Sequence, residues 1–476
     1  MLNPKSQIPN PKFTIPFLVF LLSFGLYALL THNHVFLAGN DASRFAHIES
    51  LGDFGVSHIN SSRYQWTVDR VTIEGRDYSN KPPLLDILGT GVYIFLKNVF
   101  HLSFAKNEGQ VLYLLTLILM GGTASWLAAE FYLALGLYPD IRLSTRGLVT
   151  LALAAGTILA SYATTFNNHT IAAALLFASL RRAWTGKGGE AGVLAGLTFC
   201  VDILPGAIFI PLLGMIIHDA GRRRGLLNFF MGVFFCVVLF VAANLWTVGY
   251  PLPPKFVPGA LDHSSHFGSS VAGVLLPERW SYPLECLFGG HGFFSVSPVL
   301  LFGVFGIIRG TRDQTPLPRR WTLVLAGGCL VFTLGHITLV GSYGGWSYGF
   351  RYLIPLIPIL LFFAPLAIGS WRAGLFVLAL AVSIPFALLG AYHPWPPAYE
   401  QERNKDPVAS LVANPVGGNL AAWMKEYFPE AELTQKISSA FISSSPLLQG
   451  RYLLYFYESK QDGEMVEKIK AKLRGP

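Results

Sequence analysis

The chain has 476 residues, 52% hydrophobic, 14% aromatic and only 13% charged, with a mean hydropathy of +0.46. Soluble domains carry about 25% charged residues, so the composition excludes a soluble globular protein and requires a polytopic membrane protein. The 35 Lys and Arg against 27 Asp and Glu leave a net charge of +8, which on such a chain belongs to short cytoplasmic loops rather than to nucleic-acid contact. Cys200, Cys236, Cys286 and Cys329 are widely scattered, which supports neither a disulfide framework nor a cysteine-rich metal site.

Lys5 and Lys12 precede an apolar run from Phe13 to Leu30, and Thr-His-Asn-His follows it instead of a small-x-small cleavage site. This predicts a retained first helix with its N-terminus inside. Residues 32–109 then form a large outer loop. It holds Asn40-Asp41-Ala42-Ser43-Arg44, Asp69-Arg70, and Gly75 to Leu84, where Lys81-Pro82-Pro83 leads into an apolar stretch at 84–100. Proline in a first helical turn loses no hydrogen bond, so Lys81 is presented at a helix start near the headgroups. Its ammonium and the free N–H groups there both suit a lipid phosphate. An Asp on this loop can act as a general base toward a hydroxyl; equally, loop Asp and Lys residues are ordinarily solvated.

Further apolar runs lie near 110–136, 147–165, 169–184, 191–218, 226–248, 293–308, 321–340, 352–369 and 373–391, and about 20 residues suffice for a span. Charge decides the two ambiguous segments. With 84–100 at the interface and 191–218 a hairpin turning at Asp202, the basic loops at Arg142 and Arg146, Arg181 to Lys187, Arg222 to Arg224, Arg309 to Arg320 and Arg372 all face the cytoplasm, as the positive-inside bias requires. The expected fold is therefore an all-α polytopic membrane protein of about eleven transmembrane helices, counted at this span length. Its first outer loop carries interfacial helices, a second outer loop spans 249–292, and a membrane catalytic domain occupies 1–391. The tail, 392–476, is Pro-rich at His393 to Pro397 and strand-like at Tyr452 to Tyr457, and is expected to form a small α/β domain on the outer side.

Three further outer elements carry candidates. Phe166-Asn167-Asn168-His169-Thr170 either caps the following helix or hydrogen-bonds an acceptor, and Asp202 is either interfacial or functional. The Gly- and aromatic-rich stretches Gly289 to Pro298, with His291, and Gly344 to Tyr352, with Trp346, Tyr348 and Arg351, let backbone approach a ligand closely. They suit a sugar face or an isoprenoid chain, or are tight loops bearing interfacial aromatics. Trp66, Trp280 and Trp395 read as interfacial anchors.

Asn40-Asp41-Ala42-Ser43-Arg44, followed by Tyr78-Ser79-Asn80-Lys81-Pro82-Pro83-Leu84, resembles the first outer loop of GT-C superfamily glycosyltransferases. The nearest branch is glycosyltransferase family 39 and its protein-mannosyltransferase-like and aminoarabinose-transferase-like relatives. The stretches at 290–298 and 344–352 are similar to later elements of the same proteins, so the resemblance covers Phe13 to about Ala391 and leaves out the tail. It implies an enzyme of the cytoplasmic membrane that takes a sugar from a polyprenyl phosphate on the outer face and delivers it, with inversion, to a glycan, lipid or protein. Asp41 matches the base, and Lys81 the donor-phosphate ligand, with Arg351 and Arg44 as further cations. Asn168, His169, His291, Trp346 and Tyr348 are the expected acceptor or sugar contacts. No metal or cofactor is expected, since no Asp-x-Asp pair stands in the outer loops. Two departures stand out: Asn167-Asn168-His169 where many relatives carry an acid, and Asp202 where many carry a lysine or arginine. A lipid-linked-sugar transporter, or a polymerase or ligase using a pyrophosphate-linked donor, is the alternative reading.

Overall fold

The computed structural model describes residues 11–36, 40–263, 282–312, 316–339, 347–369, 372–395 and 415–441. Helix α1, Pro11–Leu30, leads into a short polar helix α2, Asn40–Glu49, and the first outer loop then forms a hairpin of β1, Arg70–Ile73, and β2, Arg76–Ser79. Its two-residue turn is Glu74-Gly75, both at positive φ (49° and 77°), the conformation that matches strand twist and that glycine adopts without strain. β3, Leu261–Asp262, from the second outer loop pairs antiparallel with β1, giving a three-stranded sheet in the order β2-β1-β3. The described fold is mostly helical, as expected, and this small outer sheet is an addition that the all-α expectation did not include. The run Val71-Thr72-Ile73 is β-branched throughout and suits a pleated surface, but it is short and follows a charged stretch.

The interfacial segment expected at 84–100 is α3, Leu84–Phe100. It buries Leu85, Asp86, Gly89, Tyr93 and Leu96, spaced along one face, and leaves Leu88, Phe95, Val99 and Phe100 exposed on another. Then α4, Phe104–Thr116, continues through a π turn at Leu117–Gly121 into α5, Gly122–Ala134. The run at 147–165 breaks into α6, Leu143–Ala155, and α7, Ile158–Tyr162, and α8, His169–Trp184, follows.

Next come α9, Gly188–Val201, α10, Ile203–Asp219, and α11, Arg223–Val248. The chain reverses at Asp202: a methyl group on Gly206 would lie 2.3 Å from Phe199 Cα, which a continuous helix forbids over seven residues. α9 and α11 run side by side in the same direction. A methyl on Gly188 would lie 2.1 Å from Gly225 O, and one on Gly192 2.0 Å from Phe229 O. Water-driven burial is absent between helices in hydrocarbon, so close backbone approach through small residues supplies the packing.

The remaining helices are α12, Tyr282–Phe288, α13, Leu301–Gly310, α14, Arg319–Leu339, α15, Ile357–Ala367, and α16, Arg372–Tyr392. Among the described residues, four helical segments are long and apolar enough to cross a membrane alone, Phe104–Leu137, Arg223–Val248, Arg319–Thr338 and Arg372–Tyr392, and shorter apolar helices accompany them. α15 is the centre of the bundle, buried from Ile357 to Ala364. Outward, α11 exposes Leu227, Phe230, Met231, Phe234 and Phe235, a surface that only hydrocarbon accommodates. The chain is a multi-pass membrane protein. In the tail, α17, Pro415–Tyr427, and α18, Glu432–Phe441, are helical. α17 sits on the end of α16, where Asn419 Nδ2 donates to Leu389 O at 2.8 Å and His393 O at 2.9 Å. The strand-like stretch 452–457 lies outside the described residues.

Candidate active site

α2 is a contradiction in composition: Asn40, Asp41, Ser43, Arg44, His47 and Glu49 lie on a ten-residue helix buried along its whole length. Polar groups survive such burial only with partners or with a ligand to meet. Asp41 is 1% exposed in the first turn. Its Oδ2 accepts from Phe36 N at 3.2 Å and its Oδ1 from Ala42 N at 2.9 Å. Burial pushes its carboxyl up to about 7, and the nearby Asp69 carboxylate adds to the rise, against these backbone hydrogen bonds.

One turn on, Arg44 is fully buried and donates through Nη1 to Asp86 Oδ1 at 2.8 Å. His47 Nδ1 lies 3.0 Å from Asp86 Oδ2, so one carboxylate in the first turn of α3 fixes both side chains. Arg44 Nε and Nη2 make no hydrogen bond among the described residues. Lys81, at the entry to α3, donates through Nζ to Asp69 Oδ2 at 2.7 Å. Burial holds its ammonium below the usual lysine range; Asp69 opposes this, while Arg351 and Arg44 both act in the same direction as burial. Asp69 is itself tied to α2, its carbonyl accepting from Ser43 Oγ at 2.6 Å. Asn80 is buried beside Lys81, and its side-chain carbonyl has no hydrogen-bond partner among the described residues.

Arg351 opens the 3-10 turn Arg351–Leu356 that leads into α15. Its guanidinium lies 4.7 Å from the Trp395 ring and 5.4 Å from that of Tyr352, a cation–π arrangement that spends no N–H. Nε and Nη1 make no hydrogen bond among the described residues. A buried guanidinium with unspent donors is costly, and two of them near one lysine form a cradle for an anion.

The second outer element divides its roles. Asn167 caps α8, its Oδ1 accepting from Thr170 N at 2.9 Å while its Nδ2 donates to Tyr162 O and Thr165 O. Asn168, half-buried, approaches His169 Nδ1 at 3.5 Å, and His169 Nδ1 meets Asp202 Oδ2 at 2.8 Å. The charges of Arg351 and Arg44 reach His169 as they reach Lys81, so Arg44, Lys81, His169 and Arg351 form one cluster, and Asp41 borders it through Asp69, which acts on its carboxyl and pairs with Lys81.

His291 and Tyr348 stand elsewhere than expected. His291 is buried, with Nδ1 3.0 Å from Ser347 O, joining two loops. Tyr348 is wholly buried, its hydroxyl donating to Phe386 O at 2.7 Å, so its ring packs the bundle instead of lining the cluster. Trp346 lies outside the described residues. Trp395, expected as an interfacial anchor, is instead 1% exposed, and its Nε1 donates to Thr165 Oγ1 at 2.8 Å. Sequence reasoning missed Asp86, His47 and Trp395. The signals available were an Asp at the third position of a helix whose first six residues are otherwise apolar and a Trp set among prolines.

No protein-family model matches the chain, and no curated protein does. Among solved structures it is similar to ArnT from Cupriavidus metallidurans bound to undecaprenyl phosphate, with a TM-score of 0.52 over 97% of this chain and 74% of that one. At 15% identity the likeness is one of fold alone: the chain shares the architecture of that ArnT.

Proposed function

We propose that the chain is an integral membrane glycosyltransferase that moves a sugar from a polyprenyl-phosphate donor to an acceptor hydroxyl at the outer face of the cytoplasmic membrane, inverting the anomeric centre, with Asp41 as general base. The observation that carries this reading is a buried carboxyl poised at about 7 beside Asp69, whose partner Lys81 stands with Arg44 and Arg351, two guanidinium groups that keep unspent N–H groups among the described residues. A base with that value is partly ionised near neutrality and still avid for a proton. The acceptor oxygen bonds to the anomeric carbon as the carbon–phosphate-oxygen bond breaks; the hydroxyl proton passes to Asp41, and the electron pair leaves on the phosphate. Arg44, Lys81 and Arg351 stabilise the negative charge gathering there, and three cations at one phosphate meet the need that a metal would otherwise fill. Asn168 and Asn80 offer polar contacts to sugar or acceptor hydroxyls.

The shared fold with ArnT, which was solved with undecaprenyl phosphate, supports a lipid-linked donor. The same reading includes about eleven spans, taken at the usual bilayer thickness, a cytoplasmic N-terminus, an outer C-terminus, and a boundary between the membrane domain and the tail near 391. The test is transfer from radiolabelled polyprenyl-phosphate sugars to a membrane acceptor extract by the purified protein. Asp41→Asn is expected to lose at least ~10²-fold in rate, at the scale of a missing general base. Full transfer by that variant would remove Asp41 from the chemistry, and tight donor binding without turnover in the wild type would favour a transporter.

A further inference from the structure

The cluster contains a second acid–base group that the displacement just described does not use. His169 is 5% exposed at the first position of α8, and Asp202 stands at the turn between α9 and α10. A carboxylate accepts, so at 2.8 Å His169 Nδ1 donates its hydrogen to Asp202 Oδ2. That fixes the ring: Nε2 is the free nitrogen, an acceptor when the imidazole is neutral and a donor when it is protonated. No hydrogen bond to Nε2 is made among the described residues. The ring is further set edge-on to Tyr352 at 5.4 Å, and His336 from α14 stacks on Tyr352 at 5.0 Å. The charged and titratable groups around it are Asp202, Arg351 and Tyr352 from the 3-10 turn, Arg44 from α2, and His336. Two of these are the guanidinium groups with unspent N–H donors.

We propose that His169, held by Asp202, is the acid that hands a proton to the departing phosphate. The inference rests on the transferase reading. As the bond from the anomeric carbon to the phosphate oxygen breaks, the phosphate gains one negative charge. The Nε2–H of the imidazolium passes to a phosphate oxygen, leaving a neutral imidazole and a phosphate monoanion. Asp41 gains one proton from the acceptor and His169 loses one, so the site as a whole is proton-neutral, and exchange with water resets both. Asp202 is a positioning residue: it orients the ring and, as an anion, favours the imidazolium against burial and the charges of Arg351 and Arg44, which outweigh it and disfavour the charged ring until an anionic phosphate enters. A fixed cation at that turn would bind phosphate at every pH, whereas the dyad binds it with a proton to give.

The probe is undecaprenyl phosphate, whose affinity is measured between pH 5.5 and 8.5 for the full-length protein in detergent, as wild type, His169→Gln, Asp202→Asn and Asp202→Glu, with Lys81→Ala and Arg351→Ala as references. The wild type is expected to bind about tenfold more tightly than His169→Gln at the acid end, the scale of one charge-assisted hydrogen bond, and the ratio should close toward one at the alkaline end. Asp202→Asn should lose the advantage at a lower pH than the wild type, and Asp202→Glu should restore it. A ratio that stays the same at every pH would make His169 a packing residue and overturn the proposal, while weakened binding in Lys81→Ala and Arg351→Ala left the transferase reading intact. If the wild type does not bind undecaprenyl phosphate, or if neither reference variant weakens binding, the donor reading falls and this inference with it.

Discussion

Asp41 is poised because it is kept from water. Its value in the fold, about 7, lies above the ordinary 3.8, so the folded protein holds the proton more tightly than the unfolded chain does. The resulting stabilisation is fully present below about pH 4 and is lost as pH rises through about 7. Asp41→Asn keeps a neutral side chain of the same shape, so its melting temperature relative to wild type should rise between pH 4 and pH 8. A difference that did not change with pH would mean that the buried carboxyl carries no such cost. In the wild type, kcat/KM should fall about tenfold per pH unit below the Asp41 value, as a single required base dictates. Arg351 is held by rings instead of by a carboxylate, so its planar fork matters as much as its charge. Arg351→Lys should raise the donor KM by roughly tenfold, the loss of one or two forked contacts, and a KM equal to wild type would show that charge alone suffices there.

At the level of elements, the site depends on where α9, α10 and α11 bring the turn at Asp202. The α9 and α11 backbones meet at Gly188 and Gly192, where a methyl would fall about 2 Å from a carbonyl oxygen. Gly192→Leu must push the two helices apart, and overpacking of this kind costs about 1–3 kcal/mol or more. The expected outcome is a lower melting temperature together with weaker donor binding, because Asp202 moves with the hairpin away from His169 on α8. Unchanged thermal stability would show that the two helices separate freely. Gly225→Ala on the facing helix would meet Arg222 Cβ at 3.3 Å and should be milder. The outer sheet has a comparable role for Lys81: β1 and β2 return the chain so that Asp69, just before the hairpin, meets Lys81, just after it.

Across the whole molecule, the cluster lies at one end of the bundle and the arginine-rich loops at the other. Arg181 and Arg182 converge on Glu130, and Arg222 donates to Ala183 O, all at the ends of α5, α8 and α11 remote from Asp41. Labelling of Glu74→Cys and Lys187→Cys with a membrane-impermeant maleimide in intact cells tests the orientation. Both positions are exposed, and the four native cysteines are buried. Glu74→Cys should react and Lys187→Cys should react only after lysis; the reverse pattern would invert the proposed topology.

Hydropathy and the distribution of Arg and Lys by themselves determined that the chain crosses a membrane many times, that α3 starts at Leu84 behind Lys81-Pro82-Pro83, and that the chain has reason to turn at Asp202. These are local properties: desolvation cost acts residue by residue along the chain, and a proline or a buried charge leaves its mark where it stands. Asp41 and Lys81 were visible as a pair of chemical groups on one loop for the same reason. Only the tertiary structure decided their company. Arg44 meets Asp86 across 42 residues, His169 meets Asp202 across 33, and Trp395 meets Thr165 across 230, distances at which no periodicity speaks. The short β1–β3 pairing belongs to the same class, since β3 has two residues and exists because β1 offers it an edge. Tyr348 and Trp395 show the limit most directly. Each aromatic suits either a ligand or a core, and the choice between them is made by which helices close around it.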